Sequence, residues 1–115
     1  MSIAGVYLKE NPNRLVGLAE MFDYKKRENK ITVGYRLNEE YWNKKIATNV
    51  LKLMVEYLVS EVNISTVQAF VMPKNIYSSK VLLNNGFVKE AYTSQEKNWG
   101  GQEIVTVDVY TYKKN

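Results

Sequence analysis

The first third of the chain shows hydrophobic and polar patterns that predict β-structure. Residues 3–9 and 15–22 are rich in β-branched, aromatic and other apolar side chains, and the turn formers Asn11-Pro12-Asn13 separate them. We therefore predict an opening β-hairpin. After a charged connection over residues 23–30, apolar and polar side chains alternate over residues 31–37, which predicts a third strand with two different faces.

From about Asn43 the hydrophobic period changes to that of a helix. Apolar side chains recur at three and four residues: Ile46, Val50, Leu51, Met54, Tyr57 and Leu58. This spacing predicts an amphipathic helix of about four turns. The apolar run 66–72, closed by Pro73, then predicts a buried strand. Because strands joined through a packed helix are most often parallel, we expect strands 31–37 and 66–72 to be neighbours.

The last third predicts a second helix and a closing hairpin. The helix begins at Ser78 or Ser79 and runs through Asn84, and Asn85-Gly86 provides a left-handed stop. A strand, a turn and a final strand follow over residues 87–92, 97–101 and 104–112. The predicted fold class is α/β in the α+β sense, with a mixed, mostly antiparallel sheet, one β-α-β crossover and packed helices.

Composition limits the possible chemistry. A chain of 115 residues with 45% hydrophobic and 24% charged residues indicates one globular domain over residues 1–115. Cysteine and histidine are both absent. Their absence excludes disulfide scaffolds, Cys or His metal sites and Ser-His or Cys-His relays, so we expect no metal centre. Any acid or base must be Asp, Glu, Tyr, Lys, Ser or a water.

Charge and hydropathy give weaker indications. The net charge of +4 is spread over several short basic runs rather than one, so we expect no nucleic-acid partner. No basic region precedes an apolar run at the start, and no stretch has about 18 uninterrupted apolar residues. We therefore expect neither secretion nor a membrane partner, and the cytoplasm is the default location.

The predicted element order places a helix N-terminus at the end of the third strand, where backbone N–H groups favour an anion such as a pyrophosphate. Several short motifs follow one another in this order and cover nearly the whole chain: Val33-Gly34-Tyr35-Arg36-Leu37, Tyr41-Trp42, Ile46-Ala47-Thr48, Pro73-Lys74-Asn75 with Ser78, Val81-Leu82, Gly86-Phe87 and 108–112. With these motifs the chain resembles the GNAT superfamily of acyl-CoA-dependent N-acetyltransferases, and more closely its ribosomal-protein-alanine acetyltransferase branch.

The resemblance implies acetyl-CoA as co-substrate. It implies that strand 31–37 splays from its parallel neighbour and binds the pantetheine arm. The implied acyl-CoA-binding residues are Tyr35, Arg36, Leu37, Asn43, Lys44, Lys45, Ile46, Ala47, Thr48, Asn75 and Ser78. The branch often has Trp-Gly-x-Gly-x-Ala where this chain has residues 42–47, so Lys45 occupies the key glycine position. Its Cβ should hinder close approach of the backbone to phosphate, whereas the charges of Lys44 and Lys45 offer compensation.

The resemblance assigns the catalytic proton donor to Ser78. The position of the tyrosine acid in many family members is Leu82 here, and the position of the family's carboxylate is Thr32, so no general base is identified. Glu20 is a candidate base acting through a water, although a single Glu is expected to be solvent-exposed. The alternative for Asn75 and Ser78 is that both only cap the second helix.

The resemblance also implies an N-terminally truncated fold, because the usual first strand and two helices have no counterpart before the second strand. The chain is then either a fragment of a longer protein or a natural short version. In both cases we expect uncovered apolar surface and, because such surface favours self-association, a homodimer through the first hairpin. The residues expected to be uncovered are Ile3, Val6, Leu8, Leu18, Met54 and Leu58.

Two functions remain open. The first is acetyl-CoA-dependent N-acetyl transfer to a primary amine whose identity the sequence does not give, with Trp42 and Trp99 either lining its pocket or packing. The second is a non-catalytic remnant that acts as a dimeric interaction or acyl-CoA-sensing module, which the departures at Lys45 and Thr32 favour.

Overall fold

The computed structural model describes residues 2–42, 44–97, 101 and 103–114. Its strands and helices are β1 (Ser2–Leu8), β2 (Asn11–Lys25), β3 (Lys30–Leu37), α1 (Ile46–Ser60), β4 (Thr66–Val71), α2 (Ile76–Asn84), β5 (Val88–Lys97) and β6 (Ile104–Lys113). A short 3-10 helix over Glu39–Tyr41 follows β3. The predicted α+β class is confirmed.

The six strands form one sheet in the order β1-β2-β3-β4-β6-β5. The β3–β4 pair is parallel, and every other neighbouring pair is antiparallel. The parallel ladder is short, running from the Lys30–Thr66 pair to the Val33–Ala69 pair. The predicted β-α-β crossover through α1 is therefore confirmed.

Element boundaries differ from the predictions at the first hairpin and at both helices. The predicted turn at residues 11–13 is wrong, because Leu8 already pairs with Asn11 and the connection is only Lys9-Glu10. Helix α1 begins at Ile46 rather than near residue 43. Helix α2 begins before the predicted serines, at Ile76.

Part of the sequence prediction lies beyond the described residues. Two residues named in the sequence analysis lie outside the described residues: Asn43, predicted to contact acyl-CoA, and Trp99, predicted to pack or to line the acceptor pocket. Most of the predicted turn over 97–101 also lies outside the described residues. Within the described part of the chain, neither helix is long and apolar enough to cross a bilayer.

Both helices pack on the same face of the sheet. The apolar stripe of α1 meets β-strand side chains such as Ala19, Val33 and Val67 in one core. The expectation that Met54 and Leu58 lie uncovered is wrong, because both belong to this core. Tyr57, expected on the apolar stripe, is instead 52% exposed.

The opposite face of the sheet carries a row of buried polar side chains. Side chains alternate between the faces of a strand, so Glu20 and Thr32 point away from the helices that their neighbours Ala19 and Val33 contact. Gln68 Nε2 donates a hydrogen bond to Thr32 Oγ1 over 3.2 Å. Glu20 is only 6% exposed, so its expected solvent exposure is wrong.

Candidate active site

An opening in the sheet organises the candidate site. Among the described strands, the ladder between β3 and β4 ends at the Val33–Ala69 pair, although β3 continues to Leu37 and stays paired with β2 as far as the Gly17–Leu37 pair. Backbone groups at the end of β3 that point toward β4 therefore lie outside this ladder. This is the splay that the family resemblance implied for strand 31–37.

A cavity of about 310 Å³ lies at this opening, on the side of α2. It is lined by Tyr35, Arg36, Leu37, Trp42, Asn75, Tyr77 and Ser78. Of the predicted acyl-CoA residues, those of β3 meet Asn75 and Ser78 here. Those at the start of α1, from Lys44 to Thr48, are not part of the cavity lining.

Trp42 and Tyr77 form one wall of this cavity. Their rings stack with centroids 6.5 Å apart, and Trp42 Nε1 donates a hydrogen bond to the Leu37 carbonyl over 3.0 Å. Trp42 is nevertheless 48% exposed, so the wall faces solvent on one side. Trp42 therefore both packs and lines a cavity. The sequence analysis gave these two roles as alternatives.

Two buried hydroxyls beside this cavity lack hydrogen-bond partners. The hydroxyl oxygens of Tyr35 and Tyr77 are buried and have no hydrogen-bond partner among the described residues. Burial raises the pKa of Tyr35 above its usual value, the nearby Ser78 hydroxyl acts in the opposite direction, and Tyr77 raises the pKa further. Tyr35 is consequently protonated at neutral pH, and a polar ligand would supply the missing partners.

Sequence reasoning missed Tyr77 and the side-chain role of Tyr35. Tyr35 was named for its place on the splayed strand, not for its hydroxyl. The available signal for Tyr77 was its position immediately before Ser78, in the first turn of α2. Because α2 was predicted to begin at the serines, Tyr77 fell in a loop and was not considered.

Asn75 caps α2, as the structural interpretation of this residue proposed. Asn75 Oδ1 accepts a hydrogen bond from the Ser78 backbone N–H over 3.0 Å. The neighbouring Ser79 Oγ donates to the Asn75 carbonyl over 3.2 Å. The cap uses the amide of Ser78 and not its hydroxyl, so capping and a chemical role for Ser78 are compatible.

The N-terminus of α1 is left without a side-chain cap. Lys45 occupies the N-cap position and makes no side-chain capping hydrogen bond to the described residues, so the first-turn N–H groups have no side-chain acceptor there. Lys44 Nζ lies 5.8 Å from the centroid of the Tyr41 ring. Ala47, at the last position of the predicted loop motif, is fully buried.

The backbone of Lys45 is left-handed, with φ at 62°. This conformation favours glycine, because a Cβ clashes with the following carbonyl. It gives a physical reason for the glycine that the family resemblance implied at this position. Lys45 thus keeps the backbone shape of the loop at a cost in stability.

A family model described as an acetyltransferase (GNAT) domain matches residues 3–88. The chain belongs to the GNAT family. Among curated GNAT relatives, the probable N-acetyltransferase YjcK of Bacillus subtilis (strain 168) is 33% identical over 79 residues, which are 68% of this chain and 44% of the relative. The chain spans about half the length of the curated relatives it matches, from 43% to 59%.

Solved GNAT structures have the same fold. A variant of spermidine N-acetyltransferase SpeG from Vibrio cholerae superposes with a TM-score of 0.79 at 16% identity, covering 96% of this chain and 64% of that one. Ribosomal-protein-S5-alanine acetyltransferase from Vibrio fischeri gives a TM-score of 0.77 at 22% identity, covering 87% of this chain and 55% of that one. These likenesses establish the GNAT fold of this chain.

The left-handed conformation of Lys45 leads to a stability prediction. Lys45→Gly should raise the free energy of unfolding by about 1 kcal/mol, because glycine adopts this conformation without the steric penalty. Lys44→Gly is the matched control, since Lys44 is not among the residues with positive φ and glycine there only adds freedom to the unfolded chain. Thermal unfolding of both variants measures the difference. Equal effects of the two substitutions would contradict the strain at Lys45.

Proposed function

We propose that residues 1–115 form one acyl-CoA-binding domain that transfers the acetyl group of acetyl-CoA to a primary amine. The observation that carries this proposal is the opening beyond the Val33–Ala69 pair. It leaves strand backbone groups unpaired beside a cavity that contains Ser78 and two hydroxyls without partners. A thioester placed in this opening would meet both kinds of group.

The two ends of the site suit different parts of acetyl-CoA. The uncapped N-terminus of α1, with Lys44 and Lys45 beside it, offers backbone N–H groups and positive charge to the pyrophosphate. The backbone of β3 beyond its last pair with β4 offers strand-like hydrogen bonds to the amides of the pantetheine arm. The implied acyl-CoA residues of β3 and α1 are therefore distributed along one extended site.

Acetyl-CoA supplies a thioester, an acyl group already activated toward amines. The amine forms a C–N bond to the carbonyl carbon as the C–S bond breaks, and the proton that the nitrogen loses leaves to solvent. An N–H group of residues 34–37 donates to the carbonyl oxygen as negative charge develops on it. Ser78 donates its proton to the leaving sulfur while the Tyr35 hydroxyl, which lies near Ser78, donates a hydrogen bond to the Ser78 oxygen. A proton from solvent, which balances the one that the amine releases, then restores the Ser78 hydroxyl.

Calorimetric titration with acetyl-CoA and with free CoA tests the binding step. We expect both ligands to bind, since the pyrophosphate is common to both. Replacing Lys44 and Lys45 together by Ala should weaken binding and flatten its dependence on salt, because the two charges nearest the N-terminus of α1 are removed. If the double variant binds both ligands with unchanged affinity, the N-terminus of α1 is not part of the proposed site.

Replacing Ser78 tests the chemical step. Ser78→Ala should lower acetyl transfer to a panel of primary amines by about a hundredfold while leaving acetyl-CoA affinity nearly unchanged, because a proton donor acts in the transition state. Ser79→Ala is the matched control on the same turn of α2, since the Ser79 hydroxyl is bonded to the Asn75 carbonyl. If both variants change only thermal stability, Ser78 has a structural role.

A non-catalytic acyl-CoA-sensing module is the second candidate. Two observations favour it: Lys45 replaces a glycine at strained φ, and the Thr32 hydroxyl, at the family's carboxylate position, accepts a hydrogen bond from Gln68. Binding of acetyl-CoA without turnover of any amine in the panel would support this candidate over the enzyme.

We also propose that the chain forms a homodimer through β1. This strand lies at the edge of the sheet and presents the exposed side chains of Ile3 and Tyr7, at 56% and 53%. An edge strand can pair with its symmetry copy across a two-fold axis. The buried positions of Met54 and Leu58 confine the expected interface to the first hairpin.

Sedimentation equilibrium at tens of micromolar should show a dimer. Ile3→Lys should shift the population toward monomer, because a charge on an edge strand opposes edge pairing. Ile104→Lys, at a similarly exposed position on β6, should leave the dimer intact. A well-behaved monomer of the parent chain would refute the dimer.

A further inference from the structure

The side chain of Asn85 links the two helices. Asn85 directly follows α2, and its Nδ2 donates two hydrogen bonds, one to the Val81 carbonyl of α2 over 3.0 Å and one to the Thr48 carbonyl of α1 over 3.2 Å. Asn85 is half-buried, so water competes with these bonds less than it would at an exposed position. One amide group therefore ties the end of α2 to the first turn of α1.

The end of helix α2 does not by itself account for this side chain. Gly86 has the left-handed backbone of a helix stop, with φ at 82°, whereas φ of Asn85 is −101°. The backbone N–H of Asn85 donates to the carbonyls of Leu82 and Leu83, which completes the last turn. The glycine and the backbone thus end the helix, and the bond from the Asn85 side chain to Thr48 is not needed for that purpose.

Helix α2 connects two parts of the proposed acyl-CoA site. At its start, Asn75 accepts a hydrogen bond from the Ser78 backbone N–H, and both residues line the cavity at the opening. At its end, Asn85 is bonded to Thr48, in the turn of α1 where the proposed function places the pyrophosphate. About two turns of helix separate Ser78 from Asn85, which fixes their spacing. The position of the first turn of α1 relative to Ser78 is therefore set through Asn85.

We propose that Asn85 is a positioning residue for acyl-CoA: its bond to Thr48 holds the first turn of α1 at the distance from Ser78 that a ligand bound at both places requires. The inference rests on the proposed function, which places the pyrophosphate at α1 and the thioester at Ser78. A fixed spacing matters for a ligand with two anchoring points, since a shift of one anchor weakens the contacts at the other. A ligand that contacts only one of the two places does not depend on it.

Calorimetry with CoA and chemical-shift titration with pantetheine, both on the full chain, test this role. Pantetheine lacks the pyrophosphate, so it contacts the cavity near Ser78 and not α1. Asn85→Ala should lower the affinity for CoA about tenfold, since two hydrogen bonds are lost, and leave the affinity for pantetheine unchanged. Asn84→Ala, at the exposed last position of α2, is the matched control and should change neither affinity.

Asn85→Ser separates positioning from capping of α2. A serine hydroxyl has one proton to donate, and at this position it bonds the carbonyl four residues before it, that of Val81, which leaves Thr48 without its partner from α2. Positioning therefore predicts that Asn85→Ser weakens CoA binding as much as Asn85→Ala does. Parent affinity for CoA in Asn85→Ser would assign the side chain to capping and overturn the inference.

A general loss of helix packing predicts a different pattern from loss of positioning. Poorer packing of α1 and α2 would lower the affinities for CoA and for pantetheine by the same factor, because both ligands would meet the same disturbed fold. Both affinities are measured well below the melting temperature of every variant. Equal losses for the two ligands in Asn85→Ala would overturn the inference.

The parent chain separates this inference from the proposed function. If the parent binds neither CoA nor acetyl-CoA, the proposed function and the role of Asn85 both fail. If the parent binds CoA, and Asn85→Ala and Asn85→Ser bind it with the parent affinity, the proposed function stands and only the role of Asn85 is refuted.

Discussion

The site depends on the place where two parallel strands stop pairing. Among the described strands, β3 and β4 are bonded only as far as the Val33–Ala69 pair, and β3 then continues to Leu37 paired with β2. A strand with backbone groups paired on one side only can bind an extended ligand on the other. The same separation removes the barrier between the two faces of the sheet, so that Tyr35 and Arg36 line a cavity on each. If the ladder between β3 and β4 had continued to the end of β3, it would have closed both cavities.

Two features that lower stability lie beside this opening. Among the described residues, the hydroxyls of Tyr35 and Tyr77 are buried without hydrogen-bond partners. The core is conventional by contrast, with the apolar stripe of α1 packed against the sheet. Buried polar atoms without partners call for an explanation, and a ligand that completes their hydrogen bonds is one.

The two helices differ in whether a side chain caps their N-termini. Helix α2 satisfies its first turn internally, since Asn75 accepts from the Ser78 amide, which fixes the serine beside the opening. Within the described residues helix α1 has no such cap, and Lys44 and Lys45 precede its first turn. An uncapped terminus costs stability unless an anion or water completes it. One helix thus positions a side chain, and the other is where the proposed function places the pyrophosphate.

The sequence by itself determined the element order, the parallel crossover, the GNAT family and the residues of β3 and α2 that line the cavity at the opening. These follow from local information, namely hydrophobic period, turn formers and motif spacing. The sequence did not show that Met54 and Leu58 are covered, that Tyr77 belongs to the first turn of α2, or that Glu20 is buried. The first and third depend on contacts between residues far apart in the chain, namely the packing of α1 on the sheet and the pairing of β2 with β3. Only the tertiary structure decides these two, because burial and pairing are properties of the assembled sheet and not of any segment within it. The start of α2 depends on the local cap by Asn75.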